Sequence, residues 1–480
     1  MERILTTKQM RDADKYTIEK LCVSQDELVQ RAGFCVAEEI INRFQGGRVL
    51  VCVGKGNNGA DGKIVAEILS KKHGFSVLTL NVSNGIFKLF DKKFDIIVDC
   101  IFGTGLNKTV DGKYKEAIEK INNSGAYVVS CDIPSGLNGD TGFPMGVAVK
   151  ANLTIAIQEY KLGHFINSGP DYCGIVVAKD IGISIWRDDY VTRLIPRSIK
   201  EFFPKRESNS NKGDYGKACV VGGSKKYSGS ILLSANALCS LKMGTGYTNL
   251  VVPESLFDAY LGKVPECILT SIPDNNGFFT FDEGSLEQFL TYDSIAIGMG
   301  VGVSEDIYRI IAFFLTRYKG KLIIDADGIN SIAKYGVDIL KRHECRVILT
   351  PHVGEFSRLI NVDKEIILND CITFAKNFAK EYGVVLLVKS NTSIITDGEK
   401  VLINTTGTPA MAKAGSGDVL SGLTVGLLAR NDDVLLTSAV SAYIFGKAGE
   451  FCVREDCNEY TVVASDIINS LPKVISSFCK

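Results

Sequence analysis

Neither sign of charge is in excess in this chain: its 480 residues carry 54 lysines and arginines against 55 aspartates and glutamates, a net charge of −1. That balance lacks the electrostatic footprint of a nucleic-acid or membrane-surface binder, so neither partner is expected. No stretch reaches the roughly 20 apolar residues that a membrane span requires. The opening segment, MERILTTKQMRDADKYTIEK, is charged and lacks the apolar centre of a secretory leader. The 14 cysteines are scattered, with no Cys-x-x-Cys pair and no Cys/His group at zinc spacing. Cys52, Cys100, Cys131 and Cys219 sit inside apolar runs, where free cysteine behaves as a small core residue. Reduced thiols favour a cytoplasmic protein over a disulfide framework. No repeat relates the two halves, so the length implies two or three different domains, each able to bury a core.

What is present is concentrated in glycine-rich turns. The stretch NTTGTPAMAKAGSGDVLSG occupies 404–422, and its AGSGD turn runs straight into an apolar helical segment at 419–428. Gly415 and Gly417 permit backbone shapes in which successive amide N–H groups converge on an anion. Asp418 falls on the first helical turn, beside that anion hole. A phosphate would meet the positive end of the helix dipole, with a general base in reach. GSGD alone is also how an ordinary capped helix begins; the preceding TGTPAMA makes phosphoryl handling the better reading.

The first half alternates strands and helices. Ser24 and Glu27 have capping-box spacing ahead of a helix running to about Phe44. Buried-strand runs follow at 48–54, 76–81, 95–100 and 126–132, separated by helical segments. Continuous apolar strands with helical crossovers imply a parallel sheet covered on both faces, with its ligand crevice at the strand C-terminal ends. At those ends lie GKGNNGADG (54–62), Asp99 before FGTGLNKT (102–109), and DIPSGLNGDTG (132–142). Gly54, Gly56 and Gly59 fit G-x-G-x-x-G, a weak dinucleotide signal by itself. Asn58, Asp99, Asp132 and Ser135 bring oxygen donors of low total charge to one crevice, which suits a hard monovalent cation better than Mg²⁺. Polar caps on loops would look similar.

Around 205–214, KRESNSNKGD is nearly free of apolar residues and reads as the domain seam, giving domains at 1–206 and 207–480. A second αβ series then runs through strands at 217–223, 294–300, 321–327, 346–352 and 384–389.

The motifs LVQRAG (28–33), GKGNNGADG, VDCIFGTGLN and VVSCDIPSGLNGDTG together resemble the NAD(P)H-hydrate epimerase family over about 10–206. That resemblance implies a Rossmann-like three-layer domain that binds a hydrated nicotinamide cofactor and one K⁺ per subunit. It makes Asn58, Asp99 and Ser135 the potassium ligands. It puts Asn57, Asn58, Gly59, Ala60 and Asp61 on the substrate, with Gly103, Thr104, Gly105, Leu106, Asn107, Lys108 and Thr109, and with Tyr114 and Asp132. Asp132 is the titratable group best placed to move the proton. Ala60 stands where the family usually has glycine, and its methyl is tolerable only at negative φ. Gln30 replaces a usual glutamate.

In the second half, NKGDYGKACVVGGS (211–224), YSGSILLSANALCSLKMGTG (227–246), GMGVG (298–302), DADGIN (325–330), TPHVGE (350–355) and the GSGD turn resemble, in order, the ADP- or ATP-dependent NAD(P)H-hydrate dehydratases, over about 212–471. A ribokinase-like αβα domain is implied, with ADP or ATP as co-substrate and Mg²⁺ accompanying the nucleotide. Lys389, Ser390, Asn391, Thr392 and Ser393 would hold that nucleotide. So would Thr408, Pro409, Ala410, Met411, Ala412, Lys413, Ala414, Gly415, Ser416 and Gly417. Ser230, Gly302 and His352 would touch the hydrate, with Asp418 as base at its C6 hydroxyl. Asn211 replaces a usual histidine and Ser390 a usual glycine. His352 without this context is a helix-start residue, and His73, His164 and His343 receive no role.

The fused pair resembles a bifunctional repair enzyme for hydrated NADH and NADPH, expected as a homo-oligomer. Only one C6 epimer can present its hydroxyl to Asp418, so an epimerase in the same chain supplies the other hydrate. Two alternatives stay open: a ribokinase-like small-molecule kinase that stops at a phosphoester, and a first half that only binds a nucleotide ligand.

Overall fold

The computed structural model describes residues 1–85, 87–239 and 244–479. It forms two compact units, Arg3–Val191 and Met1–Glu2 with Thr192–Lys480. Part of the 227–246 motif, residues 240–243, lies outside the described residues.

The first unit is a six-stranded parallel sheet. Its strands are β1 (Gly47–Val53), β2 (Phe75–Asn81), β3 (Ile96–Cys100), β4 (Tyr127–Cys131), β5 (Leu153–Ile157) and β6 (Ile175–Lys179), in the order β2–β1–β3–β4–β5–β6. The strand period of two divides the core. Val49, Val51 and Val53 pack with Val36, Ala37 and Ile40 of helix α2 (Gln25–Arg43) and with Val65 and Leu69 of α3 (Asn57–Ser70). Leu50 and Cys52, on the opposite face, pack with Ala117, Ile118 and Ile121 of α4 (Gly112–Asn122). Helix α1 (Thr7–Leu21) is fixed by a full Thr6–Gln9 capping box. Ser24 caps α2 as expected, its hydroxyl accepting the Glu27 N–H at 3.2 Å.

The glycine-rich stretch 54–62 is loop only to Gly56; α3 begins at Asn57, so the remaining six residues form its first turns. A side chain at Gly59 would place its Cβ 2.2 Å from the Gly54 carbonyl oxygen, so this glycine serves a close approach of strand end and helix. Ala60 is helical and absent from the positive-φ residues, so its methyl is tolerated.

The second unit carries strands β7 (Lys217–Val221), β8 (Tyr247–Pro253), β9 (Ile268–Ile272), β10 (Ser294–Ile297), β11 (Lys321–Ile324), β12 (Arg346–Leu349) and β13 (Val385–Val388), all parallel, in the order β9–β8–β7–β10–β11–β12–β13. The sheet then turns antiparallel through β14 (Ser393–Thr396) and β15 (Val401–Asn404). Ala218, Val220, Ala296, Ile323 and Ile348 share a core with Val419, Leu423, Val440, Ile444 and Ile467, from the three closing helices. The alternating residues Ile295, Ile297, Leu322 and Leu349 are equally buried, so both faces are covered.

The seam also moves. The polar run at 205–214 was expected to divide the domains, but the division falls between Val191 and Thr192. Thr192 and Arg193 pair with Leu402 and Ile403, and Leu194 and Ile199 are buried in the second unit's core. A polar stretch marks exposure; here it is a surface loop inside the second unit.

Candidate active sites

In the first unit, the C-terminal ends of the strands open on a cavity of about 880 Å³. Gly103, Thr104, Gly105, Leu106, Asn107, Lys108, Thr109, Tyr114 and Asp132 all line it. Of the α3 start, Asn57, Asn58 and Asp61 line the wall and Gly59 and Ala60 do not. At 100° per residue, positions 57, 58 and 61 share a helix face, while 59 points back at the end of β1.

Beneath the wall, Asp99 is fully buried. Its carboxylate accepts from Ser135 Oγ (2.5 Å), Ser135 N (2.8 Å), Ser130 Oγ (2.9 Å) and Ile101 N (3.3 Å). Burial raises its pKa against the pull of those donors. Asn58 donates through Nδ2 to the Cys131 carbonyl at 2.8 Å, but its Oδ1 is buried with no hydrogen-bond partner. An orphaned buried carbonyl of this kind requires a physical explanation.

Asp132 is held tightly. Its φ is +67°, and its Oδ1 accepts from the buried ammonium of Lys161 and from Ile157 N at 3.1 Å. His164 closes the turn: Lys161 N donates to Nδ1 at 3.1 Å, so Nε2 carries the proton and donates to the Asp132 carbonyl at 2.9 Å. Two further carboxyls share the cavity. Burial, then Asp132 and Asp14, push Asp61 up to about 8. Burial and Asp132 push Asp14, on α1, up to about 6, with Lys161 opposing. Asp14 and Lys161 were not singled out from the sequence; the only trace is an acid on an amphipathic helix and a lysine just past an apolar strand.

In the second unit, helix α11 (Ser416–Leu428) starts at Gly415, whose φ is +91°. Asp418 lies in its first turn and accepts a hydrogen bond from Ser230. Burial pushes the Asp418 carboxyl up to about 6, with Asp325 adding to the rise and Ser230 and Lys389 opposing it. Lys389, at the end of β13, donates to Asp325 Oδ1 at 2.7 Å, and Ser421 of α11 donates to Asp325 Oδ2 at 2.6 Å. Burial lowers the lysine's pKa, but Asp325 and Glu355 outweigh it, so the ammonium is held charged. A Cβ at Gly417 would sit 3.4 Å from Lys389 Nζ, so this charge lies against the GSGD turn. Gly302, at φ +79°, donates its N–H to Asp327 Oδ2 at 2.9 Å.

His352 takes the helix-start position its sequence context allowed. It caps a helix, Val353–Ile360, with Nδ1 accepting the Gly354 and Glu355 N–H groups at 2.9 and 3.2 Å. It also neighbours Lys389 through a parallel bridge. Burial lowers its pKa, so the ring is neutral. Along 408–417, Ala410 is buried in the core, and the Lys413 ammonium donates to the Tyr460 and Val462 carbonyls at 2.9 and 2.6 Å. Those two side chains are thus engaged in the fold. Ser390 Oγ folds back onto the Thr392 carbonyl at 2.5 Å. Asn211 caps its own turn through the Gly213 N–H at 2.8 Å.

The sequences of both units match known families. The family described as NAD(P)H-hydrate dehydratase matches residues 218–473, and the YjeF-related protein N-terminus matches 25–88 and 82–163. The bifunctional NAD(P)H-hydrate repair enzyme Nnr of Dictyoglomus turgidum is 31% identical over 91% of this chain and 90% of its own. The chain belongs to the bifunctional NAD(P)H-hydrate repair family. Its Moorella thermoacetica relative of the same name is 31% identical over 98% of this chain and 96% of its own. The fold of the second unit agrees with the family. The Bacillus subtilis ADP/ATP-dependent NAD(P)H-hydrate dehydratase, crystallised with ATP and Mg²⁺, superposes with TM-score 0.52 at 25% identity, covering 60% of this chain and 99% of that one. No described helix is long and apolar enough to cross a membrane.

Proposed function

We propose that this chain repairs hydrated NADH and NADPH in two steps, epimerisation at C6 in the first unit and nucleotide-dependent dehydration of the S epimer in the second. The observation that carries the dehydratase reading is Asp418, poised on the first turn of α11 above the Lys389–Asp325 pair. Hydroxide is a poor leaving group. Asp418 takes the proton of the C6 hydroxyl as its oxygen attacks the terminal phosphoryl group of ADP or ATP. The GSGD main-chain amides and the Lys389 charge stabilise the transferring phosphoryl. Phosphate then leaves as the ring nitrogen lone pair forms C=N, and loss of a C5 proton restores the dihydronicotinamide. Magnesium would arrive with the nucleotide phosphates, since the described residues contain no cluster of three His, Cys, Asp or Glu suited to a metal.

The orphaned oxygen of Asn58 supports a potassium ion in the first unit: Asn58 Oδ1 is buried with no donor among the described residues. The resemblance pairs it with one buried carboxylate, Asp99, and the Ser135 hydroxyl bonded to it. One negative charge among neutral oxygens matches a large monovalent cation. When bound, the ion supplies fixed positive charge under the substrate. Asp132, whose expected role was to move the proton, is proposed instead to hold Lys161 in place and to meet the substrate.

Incubating the full chain with hydrated NADH and either nucleotide tests the reading. Recovery of the dihydronicotinamide absorbance with release of phosphate is expected. A stable phosphorylated product would instead favour a kinase. Potassium is expected to raise the thermal midpoint of the first unit where sodium does not, at about 2.7 kcal/mol for 100 times Kd. Asn58→Leu should remove that shift; its persistence would place the ion elsewhere.

A further inference from the structure

We propose that Asp14 and Asp61 are the acid–base pair of the first site, sharing one proton and exchanging it with the C6 hydroxyl during inversion. This rests on the reading that the 880 Å³ cavity takes the hydrated nicotinamide.

Four aspartates line that cavity; Asp111 is exposed, and the other three are not equivalent. Asp132 is bound to the Lys161 ammonium and to the Ile157 N–H, so its lone pairs and charge are already engaged. Moving a proton through it would break a buried ion pair. Asp14, from α1, and Asp61, from α3, line the same cavity and make no hydrogen bond or ion pair with the described residues. Burial and the Asp132 charge raise the proton affinity of both, and the Asp14 charge raises that of Asp61 further. Asp14 is pushed up to about 6 and Asp61 to about 8, so between these values the pair carries a single proton. The other charged groups on the cavity wall are Arg11, Lys15 and Glu19 on α1, Lys55 before α3, and Lys108 and Asp111.

The chemistry balances without any further reactant. The protonated carboxyl gives its proton to the C6 hydroxyl. The C–O bond breaks, water departs with the bonding pair, and the ring nitrogen lone pair forms C=N. Water then adds to the opposite face of C6, the C=N pair returns to nitrogen, and the ionised carboxylate takes the surplus proton. One turnover therefore exchanges which carboxyl is protonated, leaving the site ready for the reverse direction.

The test uses the full chain with potassium saturating, following R-to-S interconversion of hydrated NADH by chromatography. Asp14→Asn and Asp61→Asn should each lower kcat by about 10²–10⁴-fold with KM within about threefold. Wild type should be fastest between about pH 6 and pH 8, rising through the Asp14 value and falling through the Asp61 value. Asp14→Asn should lose the acid limb of that profile, which a merely structural role would not move. Nucleotide-dependent consumption of the S epimer controls for folding and should not change. If both variants keep more than a tenth of wild-type kcat, the pair is not the acid and base. If wild type itself fails to interconvert the epimers, the substrate reading of the cavity falls, and this inference with it.

Discussion

Asp418→Asn is expected to lower the turnover of nucleotide-dependent dehydration by about 10²–10⁴-fold, with nucleotide affinity within about threefold of wild type. The two effects separate because they have different sources. In the proposed mechanism the carboxylate takes the C6 proton, whereas main-chain N–H groups at Gly415 and Gly417 hold phosphate. Asparagine fills the same volume and can still face Ser230, but it cannot accept a proton. The sign of the pH dependence follows from the same group. Burial pushes the Asp418 carboxyl up to about 6, so wild-type turnover should rise as pH increases through that value and level off above it. That rise should vanish in the variant. Turnover above about a tenth of wild type would show that another group is the base.

Lys161→Met is expected to destabilise the first unit by about 3–5 kcal/mol, because it strands the Asp132 carboxylate without its buried counter-charge. The lysine side chain is 1% exposed and that of Asp132 is 12% exposed. Methionine can fill the space of the aliphatic stem, so lost volume is a minor part of the cost. Adding Asp132→Asn in the same chain removes the stranded charge and should recover at least half of the loss. The chain's single tryptophan, Trp186, belongs to the first unit and stacks near Tyr16 at 5.6 Å, so its fluorescence during urea unfolding reports this unit alone. A single variant within about 1 kcal/mol of wild type would mean that water reaches the pair and screens it.

The parallel strands of both units were legible because an apolar run ended by glycine or aspartate has few other readings. β1, β3 and β4 stand within a residue or two of their expected limits. Asp418 was legible for a similar reason, since GSGD fixes both a turn and the helix position that follows. The start of α3 was not, because glycine's low helix propensity hides a position where backbone contact with Gly54 demands it. The seam was misread because polarity reports exposure and not connectivity; Ile199 is buried on the far side of it. Asp14, Lys161 and Asp325 owe their roles to neighbours 29 to 147 positions away. Lys161 meets Asp132 across a turn, and Asp325 meets Lys389 and Ser421 from separate strands and helices. Such pairs have no local pattern for a sequence reading to find.

The left-handed backbone at Asp132, with φ at +67°, also bears on how this position can change over time. In that conformation a β-carbon crowds the following carbonyl at a cost of about 1–2 kcal/mol, eased for aspartate and asparagine by local hydrogen bonding and absent for glycine. Glutamate preserves the charge but has no such relief, and its longer stem would drive the carboxylate past Lys161. The substitution that looks most conservative by chemistry is therefore the least tolerated by the chain. Asparagine or glycine at position 132 keeps the turn but strands the buried Lys161 ammonium, so change here weakens the fold unless position 161 loses its charge as well.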